Sequence, residues 1–340
     1  MVGALECTLV GGYSSLMRAA VRTSYGPPDV VRIAEVDKPT PRDNEVLVKV
    51  HATTVNRTDC GFRAGRPFFV RALTGLPRPR VTVLGTEFAG TVEAVGRDVT
   101  SFRVGERVFG FKGLPFGAHA EHLAIPQDGF LATIPANLSF EEAAPSTEGS
   151  HYALALIRKA RVASGQDALV YGATGAIGSA AVQLLKQLGA KVTAVSGPEH
   201  LELVKGLGAD RVIDYTAQDF TRDAQRYDVV LDAVGKSSFL RCRRLLKPGG
   251  VYLSSEFGPL AQNLVLALIT PLRGGKKVML NLGRDDPRMA SYFREVLESG
   301  AFRPLIDRRY RLDEIVEAYR YVETGQKIGN VVVSVEPSTS

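Results

Sequence analysis

The chain has 340 residues, 45% of them hydrophobic and 23% charged, with a formal net charge of +6. That length predicts about two domains and a full core without staples. The three cysteines (Cys7, Cys60, Cys242) lie far apart with no C-x-x-C pair, which excludes a disulfide framework and a cysteine-rich zinc site and fits a reducing, cytoplasmic compartment.

Residues 1–16 read as a variable N-terminal extension. They lack a basic n-region, and Glu6 interrupts the apolar run, so a signal peptide is not expected; Met17 makes a better chain start. Residues 17–140 carry β signals. Glu45-Val-Leu-Val-Lys-Val-His, Gly90-Thr-Val-Glu-Ala-Val and Arg107-Val-Phe-Gly-Phe alternate apolar and polar residues between frequent Gly and Pro turns, which predicts an antiparallel barrel or sandwich. Ser139 and Glu142 form a capping-box pattern, predicting a helix that continues through Tyr152, Leu154 and Ile157. Strands are then expected at 168–171, 191–195, 211–213, 228–232, 250–254 and 277–280, with helical stretches at 199–207, 237–246 and 260–270 between them. Alternation of that kind means an α/β, doubly wound parallel sheet. After Gly283, residues 289–298 and 313–324 read as helices and 328–335 as a closing strand that returns to the first domain. The expected division is therefore 1–16, 17–140, 141–283 and 284–340. No run reaches the ~18 apolar residues of a membrane span, since the most apolar stretch, 260–272, contains Gln262, Asn263 and Pro271. The basic residues are dispersed, with small clusters at Arg241-Arg243-Arg244 and Arg308-Arg309-Arg311, so a solvated surface is expected and not a nucleic-acid stripe.

Residues 167–195, DALVYGATGAIGSAAVQLLKQLGAKVTAV, carry the most specific signal. A short apolar strand breaks into Gly172-x-x-Gly175-x-x-Gly178, an amphipathic helix follows, and a second strand comes after Gly189. That β–turn–α–β context marks a dinucleotide site. Gly172 permits the sharp turn, Gly175 lets backbone N–H groups approach a pyrophosphate, and Gly178 lets the helix pack close to the sheet. The helix N-terminus adds unpaired donors and a partial positive charge. The second strand ends in Val195-Ser196-Gly197-Pro198, without the carboxylate that binds a ribose 2′-hydroxyl; Glu199 falls in the next helix. Ser196, His200 and Tyr215 could instead surround a 2′-phosphate, so NADPH is expected, with NADH possible. The corner offers no Arg or Lys, and a small-residue turn that tolerates either nucleotide is the alternative.

Val55-Asn-Arg-Thr-Asp59, residues 84–92 (LGTEFAGTV), Val104-Gly-Glu-Arg-Val108, the glycine loop, residues 207–215 (LGADRVIDY) and Asp232-Ala-Val-Gly235 together resemble the medium-chain dehydrogenase/reductase superfamily, and its zinc-free, quinone oxidoreductase-like branch in particular. The resemblance runs from about Met17 to Val335. It implies a Rossmann sheet beside a GroES-like β-barrel and a homodimer formed through the Rossmann sheet edge. Zinc-dependent relatives place Cys where this chain has Asn56 and His where it has Thr86, and their third ligand is not found near 147–150. An amide and a hydroxyl are poor zinc ligands. No metal is expected, and hydride donation to a small-molecule acceptor, a quinone or an α,β-unsaturated carbonyl, is implied in place of alcohol oxidation. By resemblance Thr174, Gly175, Ala176 and Ile177 contact the pyrophosphate, and Val234 and Gly235 lie near the nicotinamide ribose. Ser254 and Ser255 lead towards the nicotinamide, as far as Glu256. Gly329 and Asn330 close the site from the C-terminal side, and Asn56 and Asp59 face the nicotinamide from the barrel. Relatives often carry Lys at the position of His200 and Tyr at that of Gly61.

Developing enolate or hydroquinone charge needs donors, and Asn56, backbone N–H groups and Thr147 are the candidates. Asp59 is expected to orient its neighbours, pairing Arg63, and the proton could come from solvent. His119 and His122, three apart in one expected strand, would face opposite sides and form no metal site. His51 is expected to be packed or at the surface; His151 and Tyr152 are weaker candidates for the pocket. Phe68, Phe69, Leu73 and Phe116 are candidate walls for the acceptor, and 260–272 is expected to line the pocket or pack at the domain junction, with an anchor at a membrane surface as the alternative. Two alternatives stand beside the reductase: a nucleotide-binding sensor, structural or membrane-associated protein with little turnover, and an alcohol dehydrogenase-like activity.

Overall fold

The computed structural model describes residues 15–258, 261–280, 286 and 288–335. Residues 1–14 of the expected extension and the expected boundary at 283–284 lie outside them.

The chain opens with a hairpin, β1 (Leu16–Arg22) antiparallel to β2 (Val31–Asp37). β3 (Glu45–Val55) follows, then two short helices, α1 (Arg57–Ala64) and α2 (Phe69–Thr74). β4 (Glu87–Val95), β5 (Arg107–Phe111), β6 (His122–Pro126) and β7 (Phe130–Thr133) pair around β3. β3 is central, pairing with both β4 and β6, so Val46, Val48 and Val50 are buried while Lys49 stays exposed. The two histidines expected in one strand are separated. His122 opens β6 and bonds Glu93, whereas His119 precedes the strand and is buried against Thr54 and Tyr319.

The predicted helix from Ser139 is broken in two: α3 (Phe140–Ala143) and α4 (Glu148–Ala160). Ser139 and Glu142 do form the capping box. Pro145 then supplies no N–H, and a proline inside a helix displaces the preceding turn. The amides of Thr147 and Glu148 bond the Glu87 carboxylate instead.

β8 (Asp167–Tyr171), β9 (Lys191–Ser196), β10 (Arg211–Asp214), β11 (Tyr227–Asp232), β12 (Leu246–Ser254) and β13 (Lys277–Leu280) form a parallel sheet in the order β10-β9-β8-β11-β12-β13. All six predicted strands are present within a few residues. Side chains alternate between its two faces, as a period of two requires. Ala168, Val170, Val229 and Leu231 enter one core cluster, while Leu169 and Val230 enter another. The connecting helices are α5 (Ala176–Gln187), α6 (Leu201–Gly206), α7 (Phe239–Cys242) and α8 (Gln262–Ile269). α7 is shorter than the 237–246 expected. α8 packs against β13 and leaves Val265 and Leu268 exposed.

α9 (Arg288–Glu298), β14 (Ile306–Arg311), α10 (Ile315–Glu323) and β15 (Asn330–Ser334) complete the chain. β15 pairs antiparallel with β3, so the C-terminal segment returns to the first sheet. β14, parallel to β15, was not expected; its Asp307, Arg308 and Arg309 hide the alternation of an edge strand. Among the described residues no helix is long and apolar enough to cross a membrane.

Candidate active site

The order of the parallel sheet reverses between β8 and β11, and ligands of open α/β sheets bind at the carboxyl ends of strands beside such a point. The glycine loop lies there. Gly172 has φ +81°, and a Cβ on it would come within 1.9 Å of Val234. A Cβ on Gly178 would lie 2.1 Å from the Gly172 carbonyl, so this glycine sets the close packing of α5 on its strand. Gly175 differs: a Cβ there would come no nearer than 3.7 Å to the protein, leaving the flank of the loop open at the N-terminus of α5. The loop thus has the form that a pyrophosphate needs, and Thr174, Ala176 and Ile177 adjoin it.

The C-terminal segment reaches this loop. Gly329 bridges Gly175, and its amide donates to the Thr174 carbonyl (2.6 Å). The Asn330 side chain donates to the Leu305 carbonyl. Beyond β11, the Asp232 carboxylate accepts the amides of Val234 (3.0 Å), Gly235 (2.8 Å) and Ser237 (3.0 Å), fixing the turn where Val234 and Gly235 sit. Ser254 ends β12 and its hydroxyl donates to the Glu256 carbonyl, with Ser255 between them. Ser196 is buried at the end of β9, whereas the Tyr215 ring is exposed. His200 Nε2 lies 3.6 Å from the Glu199 carboxylate.

On the barrel side, Asn56, Asp59 and Thr147 gather at one buried polar cluster. Asn56 caps α1: its Oδ1 accepts the Asp59 amide, and the Asp59 carboxylate accepts the Asn56 amide (both 3.0 Å). Asn56 Nδ2 donates to Thr86 Oγ1 (3.0 Å) and to the Glu148 carboxylate, and Thr86 Oγ1 donates to the same carboxylate oxygen. Both donors of the Asn56 amide are thus committed within the chain. Thr147 Oγ1 donates to Glu87 (2.9 Å), which also accepts the Thr147 and Glu148 amides and the Thr54 hydroxyl. A buried carboxylate is held here by the N-terminus of α4, where donors and dipole favour it. Asp59 does not pair Arg63. The guanidinium goes to the Gly26 carbonyl and to Glu323, and Asp59 takes the Gly85 amide.

Three carboxyls, Asp59, Glu87 and Glu148, are thus buried together. Burial pushes the Glu148 carboxyl up to about 7, and the charge of Glu87 adds to it, while bonds from Thr58 and Thr86 oppose it. Asp59 is raised well above the carboxylate range by burial and then by Glu148. Burial raises the Glu87 carboxyl too, opposed by its four donors from Thr54, Thr147 and Glu148. Nothing local in the sequence singles out Glu148; only the fold brings it between Asn56 and Thr86.

Neither an amide nor a hydroxyl is among the usual zinc ligands. Asn56, Thr86 and Thr147 offer an amide and two hydroxyls, and the described residues hold no group of three His, Cys, Asp or Glu set to bind a metal. His151 is a core residue, against Phe111 (5.2 Å) and Phe130 (6.1 Å), and burial brings its pKa down to about 4. His51 stacks on Phe140 (4.3 Å). Phe68, Phe69 and Leu73 are exposed, and Phe116 is buried beside Phe62 (4.6 Å).

Two family profiles match the chain: the alcohol dehydrogenase GroES-like domain over residues 42–136 and the zinc-binding dehydrogenase over residues 207–333. The 2-methylene-furan-3-one reductase of Solanum lycopersicum is 33% identical over 94% of this chain and 79% of its own. The chloroplastic NADPH-dependent alkenal/one oxidoreductase of Arabidopsis thaliana is 30% identical over 93% of this chain and 79% of its own. The solved quinone oxidoreductase of Coxiella burnetii superposes with a TM-score of 0.83 at 28% identity, covering 95% of this chain and all of that one. With the glycine loop at the switch point of one sheet and the barrel-side motifs gathered in one buried polar cluster, the chain belongs to the medium-chain dehydrogenase/reductase superfamily, in its quinone oxidoreductase-like branch.

Proposed function

We propose that the protein is a zinc-independent, NADPH-dependent reductase of α,β-unsaturated carbonyls or quinones. The observation that carries this reading is the pairing of an open glycine loop with a barrel-side cluster whose side chains are unsuited to zinc. Zinc in this superfamily serves to stabilise an alkoxide. A site without that donor set suits an acceptor that is already electrophilic. The names of the tomato and Arabidopsis relatives point to enones, and that of the Coxiella structure to quinones.

A bound reduced nicotinamide supplies the hydride. The chain's own part is to bind and orient. Gly172, Gly175 and Gly178 shape the loop, and Thr174, Ala176 and Ile177 present it to the pyrophosphate. Ser196, His200 and Tyr215 border the adenosine ribose. Val234, Gly235, Ser254 and Ser255 line the route to the nicotinamide, with Gly329 and Asn330 opposite. Asn56, Asp59 and Thr147 hold the barrel wall in register. For Asn56 to donate to a developing oxyanion, it must exchange its bond to Glu148 for one to the acceptor. We assign 17–140 with 284–340 to the catalytic domain and 141–283 to the nucleotide domain. We also infer a cytoplasmic homodimer. The widely spaced cysteines support the compartment, and the edge position of β13 supports the dimer.

The test is the initial rate of NADPH and of NADH oxidation with a quinone and with an enal, in the presence of chelator. Turnover that survives chelation and prefers NADPH is expected. Loss of turnover on chelation, restored by zinc, would overturn the reading, and tight nucleotide binding without turnover on either acceptor would favour a sensor.

A further inference from the structure

We propose that Arg241 and Lys236, from the segment after β11, hold the 2′-phosphate of NADPH and so select it over NADH. The inference rests on the NADPH-dependent reading above and names the cations that the corner after β9 lacks.

A cavity of about 340 Å³ opens at the carboxyl ends of β8, β10 and β11. Tyr171, Tyr215, Asp219, Lys236, Ser237 and Arg241 are among its walls. It adjoins the corner where an adenosine ribose would sit. Tyr215 lines the cavity and its backbone amide donates to the Ser196 carbonyl (3.2 Å).

The charges around the cavity are unevenly committed. Asp214 accepts the Thr216 amide and hydroxyl (both 2.8 Å), and Asp219 accepts the Thr221 amide (3.0 Å) and hydroxyl (2.7 Å). Asp232 is spent on the turn after β11. The cations are not spent. Among the described residues, the Lys236 and Arg241 side chains make no hydrogen bond or ion pair, and both residues are exposed. Arg241 nevertheless faces this space. The Asp219 carboxyl is held below its ordinary range first by the Thr221 hydroxyl, and the Arg241 charge contributes.

The corner itself is anionic. A Cβ on Gly197 would lie 3.1 Å from the Glu199 carboxylate, so that carboxylate is folded against the turn, with His200 beside it. A phosphate dianion is repelled there and attracted towards the cavity, where a guanidinium can grip two of its oxygens at once. The cofactor-selecting charge is therefore about 40 residues downstream of the corner in sequence, and adjacent to it in space.

Calorimetric titration of the full chain with NADPH, NADH, adenosine 2′,5′-bisphosphate and 5′-AMP tests this. Arg241→Ala and Lys236→Ala should each weaken NADPH and the bisphosphate about tenfold to a hundredfold, as loss of a charged hydrogen bond would. NADH and 5′-AMP should be unchanged. Arg241→Lys should retain part of the preference, and it serves if the alanine variant fails to fold. Equal weakening of NADPH and NADH, or none, overturns the assignment while leaving the reductase reading intact. A wild-type chain that binds neither dinucleotide overturns both.

Discussion

Two glycines three residues apart perform opposite tasks. Gly172 is required by the protein, since its φ of +81° and the 1.9 Å approach to Val234 leave no place for a side chain. Gly175 is not, because its flank is open to 3.7 Å. Gly172→Ala should therefore cost about 1–3 kcal/mol in urea unfolding. Gly175→Ala should leave stability within about 1 kcal/mol of the wild type, even gaining slightly from a stiffer unfolded chain, yet weaken dinucleotide binding. Unimpaired NADPH affinity in Gly175→Ala would show that the pyrophosphate does not approach there. Glu148 makes the second prediction at this scale. Its folded carboxyl titrates near 7, above its ordinary range, because of burial and Glu87. Between about pH 4.5 and 7 the native state then binds more protons than the unfolded chain, so stability falls as pH rises through that window. Asn56, Thr58 and Thr86 face the carboxyl as donors, and the charges of Glu87, Asp59 and Lys327 act on it or are acted on by it. Glu148→Gln should remove a fall on the order of 1–3 kcal/mol, read by urea unfolding at pH 5 and pH 8. Identical pH slopes in the two proteins would refute the assignment of that proton to Glu148.

At the scale of elements, the junction between α4 and α5 is set by Gly149. A Cβ there would meet the Ala176 backbone at 2.8 Å, with Ala176 opening the helix of the glycine loop. Gly149→Val should push α5 away from α4 at a cost of about 1–3 kcal/mol. It should also lower dinucleotide affinity, because the displaced helix carries the phosphate-facing amides. A destabilised variant with wild-type affinity would mean that the loop moves independently of α4. The break between α3 and α4 follows the same logic. A continuous helix would bury the Thr147 and Glu148 amides in ordinary helical bonds, and Glu87 would lose half of its donors. The capping box at Ser139 was legible because it is a four-residue pattern. Pro145 marks the break locally, but the Glu87 carboxylate that takes up the freed Thr147 and Glu148 amides lies about 60 residues upstream and leaves no local trace.

For the molecule as a whole, β13 ends the six-stranded sheet and α8 beside it leaves Val265 and Leu268 exposed. Unpaired edges and apolar patches are rarely left to solvent. Sedimentation should therefore give twice the chain mass, and Leu268→Glu, which sets a charge on the exposed face of α8, should shift it towards monomer. A monomeric wild-type protein at micromolar concentration would reject this edge as an interface.

The parallel sheet was legible almost residue by residue, because strand, glycine turn and helix are each local and each carries its own period. The glycine loop was legible for the same reason: a backbone that must turn and pack within seven residues leaves glycines as its trace. What only the tertiary structure decided involves partners distant in sequence. β14 is a charged edge strand that exists because β15 offers it a ladder. The barrel-side cluster joins Asn56, Thr86, Glu87, Thr147 and Glu148 from three separate segments, and burial, which no single segment determines, sets where their protons reside. Asn56 and Thr147 were found by resemblance, but their hydrogen bonds to Glu148 and Glu87 were not. The sequence alone thus determined the glycine loop that ends β8, because its turn and close packing are local, and folding decided which charges surround it, because those come from distant segments.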